Sequence, residues 1–288
     1  MPQSLRQLKR RIRSVENTKK ITKAMEMVAA SKLKKYQDLL GQTRIYAAEL
    51  DRILKRLITA TTSYTHPFFE KREVSKNFAI FVTSDSGLCG SYNSNLFQTI
   101  EKFAVSHREP NYFFTLGKQG NAYLKRKRFN LSGELAIPRP SEISNVVQAI
   151  IERAKKAFLE KEADRVFLIY TDFVSMASYK PVAVQLLPLE GLEVGEKDNA
   201  QTNDYIFEPS AEEILNELIP HFLELKVGQA VKGALVSEQI SRMMAMRQAT
   251  DNAIEMIDSL TLQRNKARQA SITKELIEIV SGSKALQK

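Results

Sequence analysis

One cysteine in 288 residues, no tryptophan and long stretches without proline or glycine set the first limits on this chain. A single thiol, Cys89, excludes an intramolecular disulfide and any redox switch between two thiols of the chain, and it fits a reducing compartment. The three histidines, His66, His107 and His221, stand far apart with no partner at ligand spacing, so the sequence offers no metal centre. No apolar run approaches the roughly 20 residues that span a bilayer. The basic start from Arg6 to Arg13 is not followed by a signal-peptide apolar core, although its poverty in acids also fits a mitochondrial transit sequence. In a bacterium the chain is expected in the cytoplasm or on the cytoplasmic face of the membrane.

The missing helix breakers say more. From Gln3 to His66 there is no proline and only one glycine, Gly41, and from Ala234 to Ser281 there is neither. An uninterrupted helix over the second stretch, 48 residues, is about 72 Å long at about 1.5 Å per residue. The middle of the same chain cannot cover two such helices. They must wrap each other, cover another protein, or lie on nucleic acid or membrane.

Charge is unevenly placed. The formal net charge is +10, and residues 1 to 58 hold fifteen Lys/Arg against five Asp/Glu, which is the whole excess. Residues 210 to 288 hold ten of each sign. The partner of the N-terminal helix is therefore expected to be acidic: nucleic acid, anionic lipid or an acidic protein surface. Nucleic-acid readers interleave bases with aromatics, whereas Tyr36 is the only aromatic among the first 45 residues, so nucleic acid is the weaker choice.

Along the first helix Leu5, Leu8, Ile12 and Val15 follow 3-4 spacing, as do Leu33, Tyr36 and Leu40, then Ala47, Leu50, Leu54 and Leu57. This is coiled-coil geometry. Between these runs the seam positions hold Lys19, Thr22 and Glu26, while Ile21, Met25 and Val28 sit one place ahead. The spacing predicts a stripe that rotates mid-helix, with altered supercoiling or a second surface for a different partner. Near the other end Met246, Ala249, Ala253, Met256, Leu260, Ala267, Ala270 and Ile277 form the expected seam, with Gln263 and Lys274 as polar interruptions. Antiparallel pairing of the two helices is the simplest way to cover both stripes.

The middle has another rhythm. Phe78 to Thr83, Tyr112 to Leu116, Val166 to Thr171 and Tyr179 to Leu187 read as strands, with helices from Asn93 to about Val105, Lys118 to Lys127 and Glu142 to Glu160. Strands alternating with helices predict a parallel sheet with right-handed crossovers, and the last strand follows too closely for a crossover, so it adds antiparallel. Glu190 to Asp204 reads as a polar loop, Ser210 with Glu213 as a capping box, and Pro220 as a kink or a new helix start. The predicted fold class is α/β plus a long antiparallel coiled coil: residues 1–60 and 210–288 form the coiled coil, and residues 70–208 a Rossmann-like three-layer domain with a mostly parallel sheet.

Chemistry is scarce. There is no phosphate loop, since Gly117-Lys118 lacks the upstream glycine and is followed by Gln119. The turn Ser84 to Gly90 reads as a tight structural turn or, alternatively, as a phosphate site at a helix start. Cys89 has no evident base in sequence, and Asp164, Asp172 and Glu208 flank strands without declaring an acid/base pair. No catalytic residue, cofactor site or metal site is expected. The methionines Met25, Met27, Met243, Met244 and Met246 suit packing, or a surface that repacks against changing partners.

Two stretches go beyond generic coiled coil. Thr18 to Lys35 (TKKITKAMEMVAASKLKK) and Arg242 to Gly282 (RMMAMRQATDNAIEMIDSLTLQRNKARQASITKELIEIVSG) resemble the signature ends of the gamma subunit of bacterial F-type ATP synthase. The turn SDSGLCGSYN, Ser84 to Asn93, resembles that family's motif after the first strand, with serine at position 86 where arginine is more common. The resemblance covers the full length in order. It implies a central rotor shaft: terminal helices entering the cavity of a ring of three alpha and three beta subunits, and an α/β domain meeting the epsilon subunit and the membrane ring of c subunits. Flow of protons, or in some members sodium ions, would turn the shaft and drive ATP synthesis or hydrolysis on the ring, so this chain would act without catalytic residues, cofactor or metal, as a peripheral protein at the cytoplasmic face of the bacterial cell membrane. By the same resemblance Lys20, Lys23 and Met25 meet an acidic loop of beta, Arg268, Gln269 and Thr273 make an upper contact with beta, and Arg242 a lower one. The paired cysteines of chloroplast members are absent.

Overall fold

A computed structural model of the chain describes residues 5–60, 66–176, 178–189, 208 and 210–286. The polar segment Glu190 to Asp204 lies outside them. The chain divides into two compact units, residues 30–241 and residues 1–29 with 242–288.

The larger unit is built on a five-stranded sheet. In chain order its elements are β1 (Asn77–Val82), α2 (Tyr92–Ser106), β2 (Asn111–Leu116), α3 (Lys118–Lys127), β3 (Asn130–Leu135), α4 (Ile143–Leu159), β4 (Arg165–Ser175) and β5 (Ser178–Leu187), and the strand order is β3-β2-β1-β4-β5. The first four strands are parallel, and β5 runs antiparallel to β4 at one edge. Every residue of β1 is buried, as expected of a central strand covered on both faces. One face carries Ala79, Phe81, Phe113, Phe167 and Ile169 into a core with Leu96, Ile100 and Phe103 of α2 and Leu124 of α3. On the other face the guanidinium of Arg153 in α4 lies 4.6 Å over the ring of Phe78. Helices therefore cover both faces, which gives the three layers expected.

The sequence pattern missed β3. Asn130–Leu135 has the residues Asn, Leu, Ser, Gly, Glu and Leu, exposed and half-buried in alternation at the open edge of the sheet. Such a strand has no apolar run to reveal it. Its Gly133 is required by packing, since a Cβ there would come within 2.8 Å of the Phe114 ring. Gly117 is needed twice over: its φ is +103°, and a Cβ would lie 2.7 Å from the carbonyl oxygen of Thr83.

The first terminal helix stays within its breaker-poor stretch, whereas the last extends well beyond its own, through Pro220, Gly228 and Gly233. Helix α1 runs Leu5–Ala60, 56 residues, and α5 runs Ala211–Leu286, 76 residues. Ser210 opens α5 as expected, its Oγ accepting from the Glu213 amide at 3.2 Å. Pro220 lies inside α5 and starts no new helix. Within the larger unit α1 and α5 meet where Lys232 Nζ donates to Thr43 Oγ1 at 2.6 Å, and burial pushes the Lys232 ammonium below the usual lysine range. Helix α2 is tied to α5 by Tyr92 Oη, which donates to the Ala234 carbonyl at 3.3 Å.

Candidate functional site

In the smaller unit α1 and α5 pack through Leu8, Ile12 and Val15 against Leu260 and Ala267. Further along, Thr22 Oγ1 and Thr250 Oγ1 are 2.8 Å apart and both are buried. As the residue number rises in α1 its partner's number falls in α5, so the two segments run antiparallel.

The seam of α1 does not rotate. Leu8, Ile12, Val15, Lys19, Thr22, Glu26, Ala29, Leu33, Tyr36 and Leu40 are buried or half-buried in unbroken 3-4 spacing. The polar residues hold their seam places because they are satisfied there. Each hydroxyl has a carbonyl of its own helix in reach, Lys19 O at 3.1 Å for Thr22 Oγ1 and Met246 O at 2.8 Å for Thr250 Oγ1, so one can donate across the seam while the other donates to its own helix. Glu26 pairs with Lys23 at 3.0 Å. The apolar residues one place ahead therefore face outward: Ile21 is 60% and Val28 56% exposed, with Met27 beside them. A second surface exists, whereas the expected change of seam does not.

A similar correction applies to α5. Met246, Ala253 and Leu260 are buried and Ala249 and Ala267 half-buried as expected, but Met256, Ala270 and Ile277 are exposed, and Ile257, Thr261, Arg264, Asn265 and Ser271 are half-buried as well. From Thr273 onward every described side chain up to Ser281 is exposed. Ile272, Leu276, Ile277, Ile279 and Val280 lie uncovered beyond the cluster of Leu8, Ile12 and Leu260 against which Ala267 packs. Single exposed apolar residues are ordinary, but five within nine residues of one helix mark a surface that another molecule covers.

The sequence-predicted contact residues sit on this shaft. Lys20 and Lys23 are exposed on α1 and Met25 is half-buried; Arg268, Gln269 and Thr273 are exposed on α5, and Thr273 Oγ1 donates to Gln269 O at 2.9 Å. Arg242 differs, with only 8% of its surface exposed. The outward face of Ile21 and Val28 answers to the second surface expected from the sequence, whereas the uncovered tip from Ile272 to Val280 was not singled out.

The remaining candidates are structural. In the turn after β1, Ser84 Oγ donates to Ser86 O at 2.8 Å, Asn93 Nδ2 to Ser84 Oγ at 2.7 Å, and Lys118 N to Asp85 Oδ1 at 3.0 Å. Ser241 Oγ of α5 donates to Cys89 O at 2.6 Å. The polar groups of the turn are spent on itself and its neighbours, which favours the tight-turn reading over the phosphate site. Asp164 Oδ2 accepts from Ser75 N and Oγ, both at 2.8 Å, and from Lys76 N at 3.0 Å. Burial pushes this carboxyl up, but the hydrogen bonds from Ser75 and Lys76 outweigh it and leave it below the usual range, so it is an anchor and not an acid. Among the described residues no cluster of His, Cys, Asp and Glu could hold a metal ion, and no helix is long and apolar enough to cross a membrane.

Known proteins agree on one family. A family model described as ATP synthase matches residues 4–286. The chain is 39% identical to the ATP synthase gamma chain of Haemophilus influenzae over 98% of this chain and 99% of that one, and 38% identical to that of Heliobacterium modesticaldum with the same coverage. Its fold is similar to a chain of the Tetrahymena thermophila mitochondrial ATP synthase central stalk and c-ring, at 27% identity and a TM-score of 0.59 over 80% of this chain and 99% of that one. A chain of the Euglena gracilis mitochondrial ATP synthase, in an OSCP/F1/c-ring structure, gives a TM-score of 0.69 at 18% identity, covering 98% of this chain and 94% of that one. A gamma chain is a non-catalytic subunit, in keeping with a fold whose conspicuous surfaces are helical and apolar, and on these matches the chain belongs to the ATP synthase gamma chain family.

Proposed function

We propose that this chain is the central rotor shaft of an F-type ATP synthase, coupling ion flow through a membrane sector to the conformational cycle of a ring of three alpha and three beta subunits. The observation that carries this reading is the uncovered tip of α5, Ile272 to Val280, on an antiparallel helical pair. A long rod with an apolar end needs a socket. A ring with an apolar bore supplies one, and because the contact is non-directional the tip can turn in it without breaking specific bonds.

Torque is passed lower down, where contacts must be uneven. A symmetric rod in a threefold ring would bias all three sites alike. Helix α1 is strongly basic and α5 neutral, so each beta subunit meets a different field as the shaft turns. Lys20, Lys23 and Met25 are assigned to an acidic loop of beta, and Arg268, Gln269 and Thr273 to the upper contact. Arg242 is assigned to the lower contact, and its burial makes it the most demanding of the seven to test. The α/β domain of residues 70–208 is assigned to the epsilon subunit and the ring of c subunits, which puts the chain at a membrane surface as a peripheral protein with no part inserted. The coupling ion is a proton or sodium.

The test is assembly. Purified chain mixed with the alpha and beta subunits of its own organism should co-elute as one complex that hydrolyses ATP, and separate elution of chain and ring would refute the proposal.

A further inference from the structure

Within residues 30–241, α1, the strands β4 and β5 and the first part of α5 line an open cavity of about 320 Å3. This is the volume of roughly ten liquid waters at about 30 Å3 each. Its lining is mixed: Leu168 from β4, Val184 and Leu186 from β5, Leu189, and Phe222 and Ala230 from α5 supply the apolar part, and Gln185 joins the charged groups on the polar part. Tyr170 also lines it, and burial, followed by the nearby charge of Asp172, pushes its phenol up to about 12, so the wall stays neutral.

Three charged groups stand at the cavity. Lys55 Nζ pairs with Asp51 at 2.8 Å, which neutralises both. Lys226 is exposed at the mouth, with its ammonium 5.0 Å from the centroid of the Phe222 ring and no carboxylate paired to it among the described residues. The cavity thus joins an apolar part to one surplus positive charge at its opening. An anion with an apolar body satisfies both parts at once; a cation or a sugar satisfies neither.

We propose that this cavity is a binding site for an amphipathic organic monoanion, with its carboxylate or sulfonate on Lys226 and its apolar body against Leu168, Leu186 and Phe222. Such a ligand touches the sheet and α5 together, so it would fasten the first part of α5 to β4 and β5. The site is independent of the rotor reading.

The test is calorimetry of the full chain with decanoate, alongside decanol as the uncharged body and acetate as the bare head. Saturable binding of one decanoate per chain is expected, with far weaker binding of the other two. Lys226→Ala should weaken decanoate about tenfold, Lys226→Arg should restore it, and Val184→Asp, a carboxylate on the exposed rim, should weaken it as Lys226→Ala does. Both altered residues are exposed, so folding is not at stake, and circular dichroism checks it. No saturable heat with decanoate, equal binding of decanol, or unchanged affinity in Lys226→Ala would each overturn the proposal.

Discussion

Replacing Leu276 and Ile277 together by aspartate should leave the isolated chain as stable as before and yet cripple its capture by the ring. The two side chains are 56% and 60% exposed, so the free chain loses little buried area when they change. Surface substitutions of this kind fall within about 0.5 kcal/mol. In a socket the same side chains would be fully covered. Complete burial of a Leu or Ile contributes about 1.5–3 kcal/mol, and somewhat more than half of that remains to be gained here, so the pair stands for roughly 2.5 kcal/mol of association. At 1.4 kcal/mol per tenfold that is a loss on the order of 50-fold in affinity. The cost of desolvating two carboxylates makes this a lower bound. The assay is titration of the fluorescently labelled chain against a preformed alpha/beta ring, with thermal unfolding of the free chain in parallel. Unchanged affinity would refute the socket. A large fall in unfolding temperature would show that these residues are internal packing, and the argument from exposure would fail with it.

Other expectations follow the same reasoning. Thr22→Val or Thr250→Val alone should cost about 1 kcal/mol by breaking the buried pair, while the double variant, which replaces both partners by apolar groups of the same shape, should cost less than the sum; additive costs in denaturant unfolding would contradict the bond across the seam. Asp164→Ala should cost about 2 kcal/mol through three lost hydrogen bonds to a charged acceptor. Because the Asp164 pKa is lowered in the folded state, its contribution is fully present above the ordinary aspartate range and fades as pH falls below it. The gap between wild type and Asp164→Ala should therefore close on acidification, and a gap constant down to pH 2 would be wrong for it. Gly117→Ala should destabilise by about 2 kcal/mol or more, from positive φ and the close Thr83 carbonyl together, and a neutral change in thermal unfolding would speak against that geometry.

Much of this architecture is legible in the sequence because it rests on strong local signals. Absence of proline and glycine fixes the long helices, the run Phe78 to Thr83 declares a buried strand, and Ser210 with Glu213 marks a helix start. Where the reading failed, tertiary contacts override composition. β3 is hidden because an edge strand needs neither apolar residues nor alternation of the usual strength. The seam near Thr22 is misread because hydrophobicity alone assigns a seam to Ile21 and Val28, whereas a threonine paired across the interface occupies it at little cost. Pro220 lies within α5, so of the two outcomes its local signal allowed, a kink or a new helix start, the second does not occur. As for the site, the shaft and its family are written in the two terminal motifs, but the apolar tip shows only when the exposure of Ile272 to Val280 is known. The cavity beside Lys226 draws its lining from positions 51 to 230, which no local pattern brings together.

The central claim is mechanical, and rotation tests it most directly. Cys89 is 2% exposed while Val105 on α2 is 77% exposed, so Val105→Cys gives a selectively labelled handle on the α/β domain. With the ring fixed to a surface and a bead on that handle, addition of ATP should drive rotation in one direction in three equal steps per turn. A complex that assembles and hydrolyses ATP while the bead shows only undirected motion would contradict the account.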